Sequence, residues 1–283
     1  MRVKHLLLSA IILLANSSFF SQNTTINPSK TQDDMMSIEA ILRKEKLLII
    51  PFDPKMYLSD VDKKIGTTNN MNFYQVRNAM RAGVDEEIYF ALKKKFNVYS
   101  LLMDSLKNKK DVAYVHENIG YSYDLAPADN TTKKNTKPQK SDNKPKIVNG
   151  QLQVEVNQQK KFMNAEIQNK EILTYLANKY NATVFVFINE LDIRSNPESF
   201  DINTDSYSRD VTVHFSVFDT KGNYLNFGTA NTSFSSNLND PEKIAKNHFS
   251  EIGRQLSNSI ETSLIPDELK KKQQEKSKSQ KVR

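Results

Sequence analysis

The 283-residue chain contains no cysteine and no tryptophan, only seven glycines and only four histidines. Without cysteine there is no disulfide, no thiolate nucleophile, no cysteine-ligated zinc and no iron–sulfur cluster. The few glycines form neither GxGxxG nor GxxxxGK[ST], so no glycine-rich loop of these types cradles a phosphate. Beyond the amino-terminal segment the histidines are His116, His214 and His248, and none has HxH or HxxxH spacing. They read as structural or solvated side chains. No GxSxG elbow singles out a serine nucleophile.

Long apolar runs are also missing. Leu6 to Ala15 is the longest, at about ten residues, where a bilayer span needs roughly twenty. Arg2 and Lys4 precede it and small polar residues follow, which is the secretory signal pattern. Residues 1–21 therefore read as a signal peptide cleaved after Ser17 or Ser21, with an uncleaved anchor or a buried helix as the alternative. No cysteine follows the run, which excludes a lipoprotein-type anchor. Export without cysteines points to a bacterial periplasm or to secretion from a bacterium, since small exported eukaryotic domains usually carry disulfides.

The net charge of +7 is unevenly placed. Residues 131–147 hold six lysines and one aspartate, and residues 267–283 hold seven basic and three acidic residues. The rest of the mature chain is mildly acidic. Both basic stretches lack the apolar residues that would offset ordering entropy, so they read as a disordered linker (119–147) and a disordered tail (267–283). Nucleic-acid binding is not expected, because the basic residues do not lie on a folded face. Adhesion to an anionic membrane or polymer surface is the sharper alternative.

Between these stretches the pattern alternates helix and strand. Residues 22–36 are polar, and 37–43 suit a short helix. The run 47–52 is apolar on both faces, as in a buried strand, and 53–71 reads as a polar loop. A helix over 72–95 places Phe73, Val76, Met80, Val84, Ile88 and Ala91 on one face, with Gly83 costing about 1 kcal/mol inside it. A strand at 96–99 and two short helices, 101–109 and 111–118, follow. Residues 152–156 alternate as an edge strand. A helix is expected over 161–180, or from 169 if broken. Strands are expected at 182–193, 211–217 and 224–234, with a turn at Asp219–Gly222. Asp240 and Pro241 open a last helix. The fold class is α+β: an α/β sandwich with a mixed sheet, helices mainly on one face, and a carboxy-terminal meander plus helix. Residues 44–118 and 148–266 form two halves of one domain, preceded by a polar segment, 22–43.

KLLIIPF before a long helix, KKKFNVYS, and ILTYLANKYNATVFVFINELDI before a hairpin together resemble the envelope domains of the TolB amino-terminal, CsgG and LpoB-like type. Leu173 to Val184 and Asp219 to Gly228 carry the match. The resemblance implies a periplasmic binding or assembly module that is not an enzyme. The lysine-rich insertion and the missing lipid-anchor cysteine depart from that pattern.

Three further groups bear on chemistry. Asp201, Asn203 and Asp205 have the D-x-N-x-D spacing of calcium loops, but Ser206 replaces the glycine and Thr212 the bidentate glutamate. A polar turn is the plainer reading. Glu190 and Asp192 share a strand face, as paired carboxylates of a glycosidase do. Tyr114, Tyr121, Tyr123 and Asp124 read as loop packing or a docking peptide. No catalytic residue and no cofactor are assigned. The expected function is an exported, non-enzymatic accessory module that contacts an envelope protein or a second copy through the 193–209 loop (Tyr207) and the Lys221–Gly222 turn. A hydrolase of envelope polymers and a binder of anionic surfaces are the alternatives.

Overall fold

A computed structural model of the chain describes residues 38–125, 137–140, 146–148, 151–153 and 161–271. The signal segment, most of the polar segment and lysine-rich stretch, and the tail past 271 lie outside the described residues. In chain order the elements are α1 (38–44), β1 (Lys46–Ile50), a 3-10 turn (Pro54–Met56), β2 (Tyr57–Ser59), α2 (Asp62–Asn69), α3 (Phe73–Lys93), β3 (Asn97–Ser100), α4 (Ser105–Glu117) and β4 (Ile119–Leu125). Then come β5 (Gln139–Lys140), β6 (Lys146–Val148), β7 (Gln151–Gln153), β8 (Lys161–Ile167), α5 (Glu171–Tyr180), β9 (Val184–Asp201), β10 (Ser206–Asp219) and β11 (Tyr224–Ser235). The last helix comprises α6 (Pro241–Ile244), a π-helical turn (Ala245–Phe249) and α7 (Ser250–Leu264). Among the described residues no helix is long and apolar enough to cross a membrane.

The fold is α+β with a mixed sheet ordered β11-β10-β9-β1-β3. β1 pairs in parallel with β3 and with β9, so strands from both halves of the sequence share one sheet. β2 continues alongside β9 where β1 ends. The apolar run of β1 serves two cores, because successive side chains point to opposite faces. Leu47 and Ile49 join the core under α3 and α7, while Leu48 and Ile50 join the core under α4 and α5. The longest helices thus share one face, and two shorter helices with a small sheet, β5-β4-β8, cover the other.

Local chemistry sets the boundaries. Asn72 opens α3 with a reciprocal capping box: its Oδ1 accepts from the Gln75 N–H at 3.0 Å, and its own N–H donates to Gln75 Oε1 at 2.8 Å. Asp240 Oδ1 accepts from the N–H groups of Glu242 and Lys243. Gly83 is a packing requirement as well as a propensity cost. A Cβ there would lie 2.5 Å from Ala245 Cβ, and one at Gly253 would lie 2.5 Å from the Glu87 carbonyl oxygen. The two glycines let α3 and the last helix touch backbone to backbone.

Several expectations change. Residues 161–167 are strand β8, and the helix begins at Glu171, close to the alternative start. Phe162, Met163, Asn164 and Ala165 are all buried, since both sides of β8 are covered. Residues 119–125, assigned to the linker, form β4, paired antiparallel with β8 over its whole length. Lysine-rich residues 139–140 and 146–148 are strands β5 and β6. The polar stretch 53–71 holds β2 and α2, and one helix, α4, replaces the two expected after β3. Residues 267–271 add a final helical turn.

Candidate functional site: a polar seam and a projecting arm

β8 lies across the main sheet with one edge on β4 and the other facing side chains. Backbone groups on a buried edge need partners. Here the partners are side chains of β9, β10 and β11. The Met163 N–H donates to His214 Nδ1 at 2.8 Å, and the Met163 carbonyl accepts from Asn189 Nδ2 at 2.9 Å. The Ala165 N–H donates to Ser216 Oγ at 3.4 Å, and its carbonyl accepts from the Tyr224 hydroxyl at 3.2 Å. Four side chains thus stand in for a neighbouring strand.

A β-bulge makes this possible. In the β9–β10 ladder His214 faces Glu190 and Phe215 faces Ile188, so Asn189 is the extra residue. Asn189 and Glu190 consequently serve the same side of the sheet. Asn189 Nδ2 also donates to Ser216 Oγ at 2.8 Å, and Ser216 Oγ donates to Asn164 Oδ1 at 2.7 Å. Asn164, 2% exposed, donates in turn to Asp124 Oδ2 and to the Tyr224 hydroxyl, each at 2.8 Å.

Glu190 is 2% exposed and sits at the rim of this seam. It accepts from the Tyr123 hydroxyl at 3.0 and 2.9 Å. His214 Nε2 lies 3.4 Å from Glu190 Oε1. Because Nδ1 accepts from a backbone N–H, the ring proton sits on Nε2 and points to the carboxylate. Burial holds the His214 pKa down to about 4, so the ring is neutral at pH 7. Burial raises the Glu190 carboxyl, with Asp192 adding to the rise and the Tyr123 hydroxyl and Arg194 opposing it. Tyr123 is pushed up to about 12, first by burial and then by Glu190. Asp192, the second expected carboxylate, is raised by desolvation and pairs with Arg194 Nε at 2.6 Å. The arrangement can hold a proton on neutral His214. Nδ1, the one ring nitrogen with a free electron pair, is already occupied by the Met163 N–H.

The other sequence candidates fall elsewhere. Asp201 closes the β9–β10 tip: Oδ1 accepts from the Asn203 N–H at 2.9 Å and Asn203 Nδ2 at 3.1 Å, and Oδ2 accepts from Thr204 Oγ1 at 3.2 Å. These bonds hold its pKa low. Asp205 takes the left-handed conformation there, at φ 46°. Among the described residues no cluster of three or more histidine, aspartate or glutamate side chains is placed to hold a metal. Residues 193–209, expected as a loop, are mostly the ends of β9 and β10, and the Tyr207 backbone pairs with Ser236 just past β11, so Tyr207 belongs to an interior strand and not to a free loop. Lys221 and Gly222 form the expected turn, with Gly222 at φ 78° and Asp219 Oδ1 accepting from the Lys221 and Asn223 N–H groups. His116 Nε2 lies 2.9 Å from the Pro51 carbonyl oxygen, and the His248 ring packs 5.9 Å from that of Phe234. Tyr114 meets Tyr175 edge-on, and Tyr121 packs on the second core.

The arm is the most exposed apolar feature of the sheet. β1 pairs with β9 only to Phe187 and β2 only to Ile193, whereas β9 runs on to Asp201 against β10. At its end Phe200 is 54% and Ile202 84% exposed. Sequence reasoning missed Asn164, Asn189 and Ser216. Their signal was a polar side chain where strand alternation or apolar neighbours imply burial. No protein-family model matches the chain, and no curated protein matches it closely enough to count as a relative.

Proposed function

We propose that this chain is an exported, non-catalytic envelope module that acts by holding a protein partner, with the tip of the β9–β10 arm as the contact. The observation that carries this reading is the exposure of Phe200 and Ile202 at the β9–β10 tip, where β9 runs on past the last residue that β2 pairs with. Large apolar side chains held in water gain about 1.5–3 kcal/mol each when covered. The basic-then-apolar amino terminus supports export, and the resemblance to TolB amino-terminal, CsgG and LpoB-like domains supports a binding or assembly role. The Met163 N–H occupies Nδ1, the one basic nitrogen of neutral His214, and this supports a role without catalysis.

Pull-down from the native envelope with the wild-type chain and with a Phe200→Ser, Ile202→Ser variant tests the reading. A partner, whether another envelope protein or a second copy, retained by the wild type and lost by the variant is expected. Equal recovery from both would remove the arm from the interface.

A further inference from the structure

We infer that a cleft over β1 and β3, distant from the arm, binds a small organic anion carrying a phosphate group. The strand register builds its floor. Leu48 and Tyr99 point to the α4–α5 side with the second core, while Leu47 and Val98 belong to the opposite side. Lys46 and Asn97, paired across the ladder, therefore share the face of Leu48 and Tyr99. α4 adds Lys107 and Asn108 as one wall, and the end of α5 adds Lys179, Tyr180 and Asn181 as the other. The half-open cleft has a volume of about 530 Å³, which suits a ligand with an organic body rather than a bare ion.

The lining contains three lysines and no acidic residue. Lys179 is already neutralised. Asp111, set behind the wall, accepts from its Nζ at 2.9 and 2.8 Å, from the Tyr175 hydroxyl at 2.7 Å and from the Tyr180 hydroxyl. Desolvation acts to raise the Asp111 pKa, but those bonds outweigh it and hold the carboxyl below its ordinary range. Among the described residues neither Lys46 nor Lys107 has an ion-pair partner. Two uncompensated cations thus face one cleft.

The walls are fixed in advance. Asn108, 1% exposed, donates to the Tyr99 hydroxyl oxygen at 3.0 Å and to the Leu101 carbonyl at 3.1 Å, and its Oδ1 lies 3.1 Å from the Tyr180 hydroxyl oxygen. The Tyr99 and Tyr180 rings stack at 5.3 Å with 27° between planes. The Tyr99 hydroxyl receives the Asn108 bond and keeps its own proton to donate. Side-chain amides of Asn97 and Asn181 stand at the exposed rim. The donors are ammonium, hydroxyl and amide groups without a carboxylate, and a phosphate monoester is the acceptor-rich dianion that matches them. The tyrosine pair offers a flat apolar surface for its organic part.

Titration calorimetry on the full mature chain, with phenyl phosphate and inorganic phosphate as probes, tests this. Phenyl phosphate should bind more tightly than inorganic phosphate. A Lys46→Gln, Lys107→Gln variant with an unchanged melting temperature should lose at least about tenfold in affinity. Vesicles containing phosphatidic acid distinguish a lipid headgroup from a soluble ester: vesicle binding without phenyl phosphate binding, lost in the variant, assigns the site to the headgroup. Absence of binding to all three probes, or equal binding by the variant, would overturn the assignment.

Discussion

The Met163 N–H donates across 2.8 Å to Nδ1 of His214, joining the edge of one sheet to the face of another. That bond fixes the imidazole tautomer and leaves its one ring proton on Nε2, the nitrogen nearer Glu190. Replacing His214 with alanine strands a buried backbone N–H, at a cost of about 1–3 kcal/mol. Asparagine, whose Oδ1 can occupy the Nδ1 position, should recover much of the loss. Urea unfolding of His214→Ala and His214→Asn measures the difference; equal losses would mean that packing, not the acceptor, matters there.

The same histidine gives the fold an acid response of definite sign. Its folded pKa is about 4 against 6.5 for a free ring, so the unfolded chain binds more protons between those values. Its contribution to stability therefore falls as pH drops from 6.5 to 4, by on the order of 3 kcal/mol in full. Asp85 works the other way. Burial raises its carboxyl to about 6, against the bond from Ser100 Oγ at 2.6 Å and the charge of Arg81. The folded chain then binds more protons between 3.8 and 6, and that contribution falls as pH rises. Burial of Glu190 acts in the same direction as Asp85. Stability should thus change little from pH 4 to 6 in the wild type. Asp85→Asn should expose the histidine slope, and urea unfolding across pH 4–7 reads both. An unchanged pH profile in Asp85→Asn would contradict this balance.

Gly83→Ala and Gly253→Ala should each destabilise the chain by about 1–3 kcal/mol, because helix backbones must move apart to admit a Cβ. In a domain of this size that lowers the melting temperature by roughly 2–4 °C per kcal/mol. Calorimetric melting would show it. A raised midpoint would mean that helix propensity dominates over the α3–α7 contact.

Gln255 guards the edge of β11. Its Oε1 accepts from the Asn231 N–H at 2.9 Å and its Nε2 donates to the Asn231 carbonyl at 2.8 Å, as a neighbouring strand would. Gln255→Ala should cost about 1 kcal/mol and should also promote concentration-dependent self-association, since open strand edges pair. Light scattering across a dilution series separates the two effects; loss of stability without association would leave the bond as an ordinary one.

Much of the architecture was legible because it rests on short-range patterns. The doubly apolar β1, the α3 stripe from Val76 to Ile88, the alternation Val211–Val217 in β10 and the Asp240–Pro241 helix start appear where their spacing places them, whereas Phe73, expected on the α3 stripe, is 51% exposed in its first turn. What stayed hidden depends on contacts between distant segments. β8 reads as helix because Phe162 and Ala165 are three apart, and only its burial between β4 and the main sheet explains four consecutive buried residues. β4 carries Gly120 and Ser122 with little apolar alternation, so pairing with β8 defines it. The seam depends on a bulge at Asn189, and a bulge breaks the period of two on which strand reading relies. Glu190 and Asp192 were visible as neighbours on one strand. Their different partners, Tyr123 and Arg194, were not.

A photo-activated crosslinking residue placed at Ile202 in intact cells, with the same residue at Lys221 as a control on the opposite hairpin, probes the arm most directly. The expected result is a discrete crosslinked species from position 202 that disappears when Phe200 is replaced by serine. Crosslinks from 221 alone, or none from 202 in envelopes that contain the folded chain, would contradict a partner held at the arm.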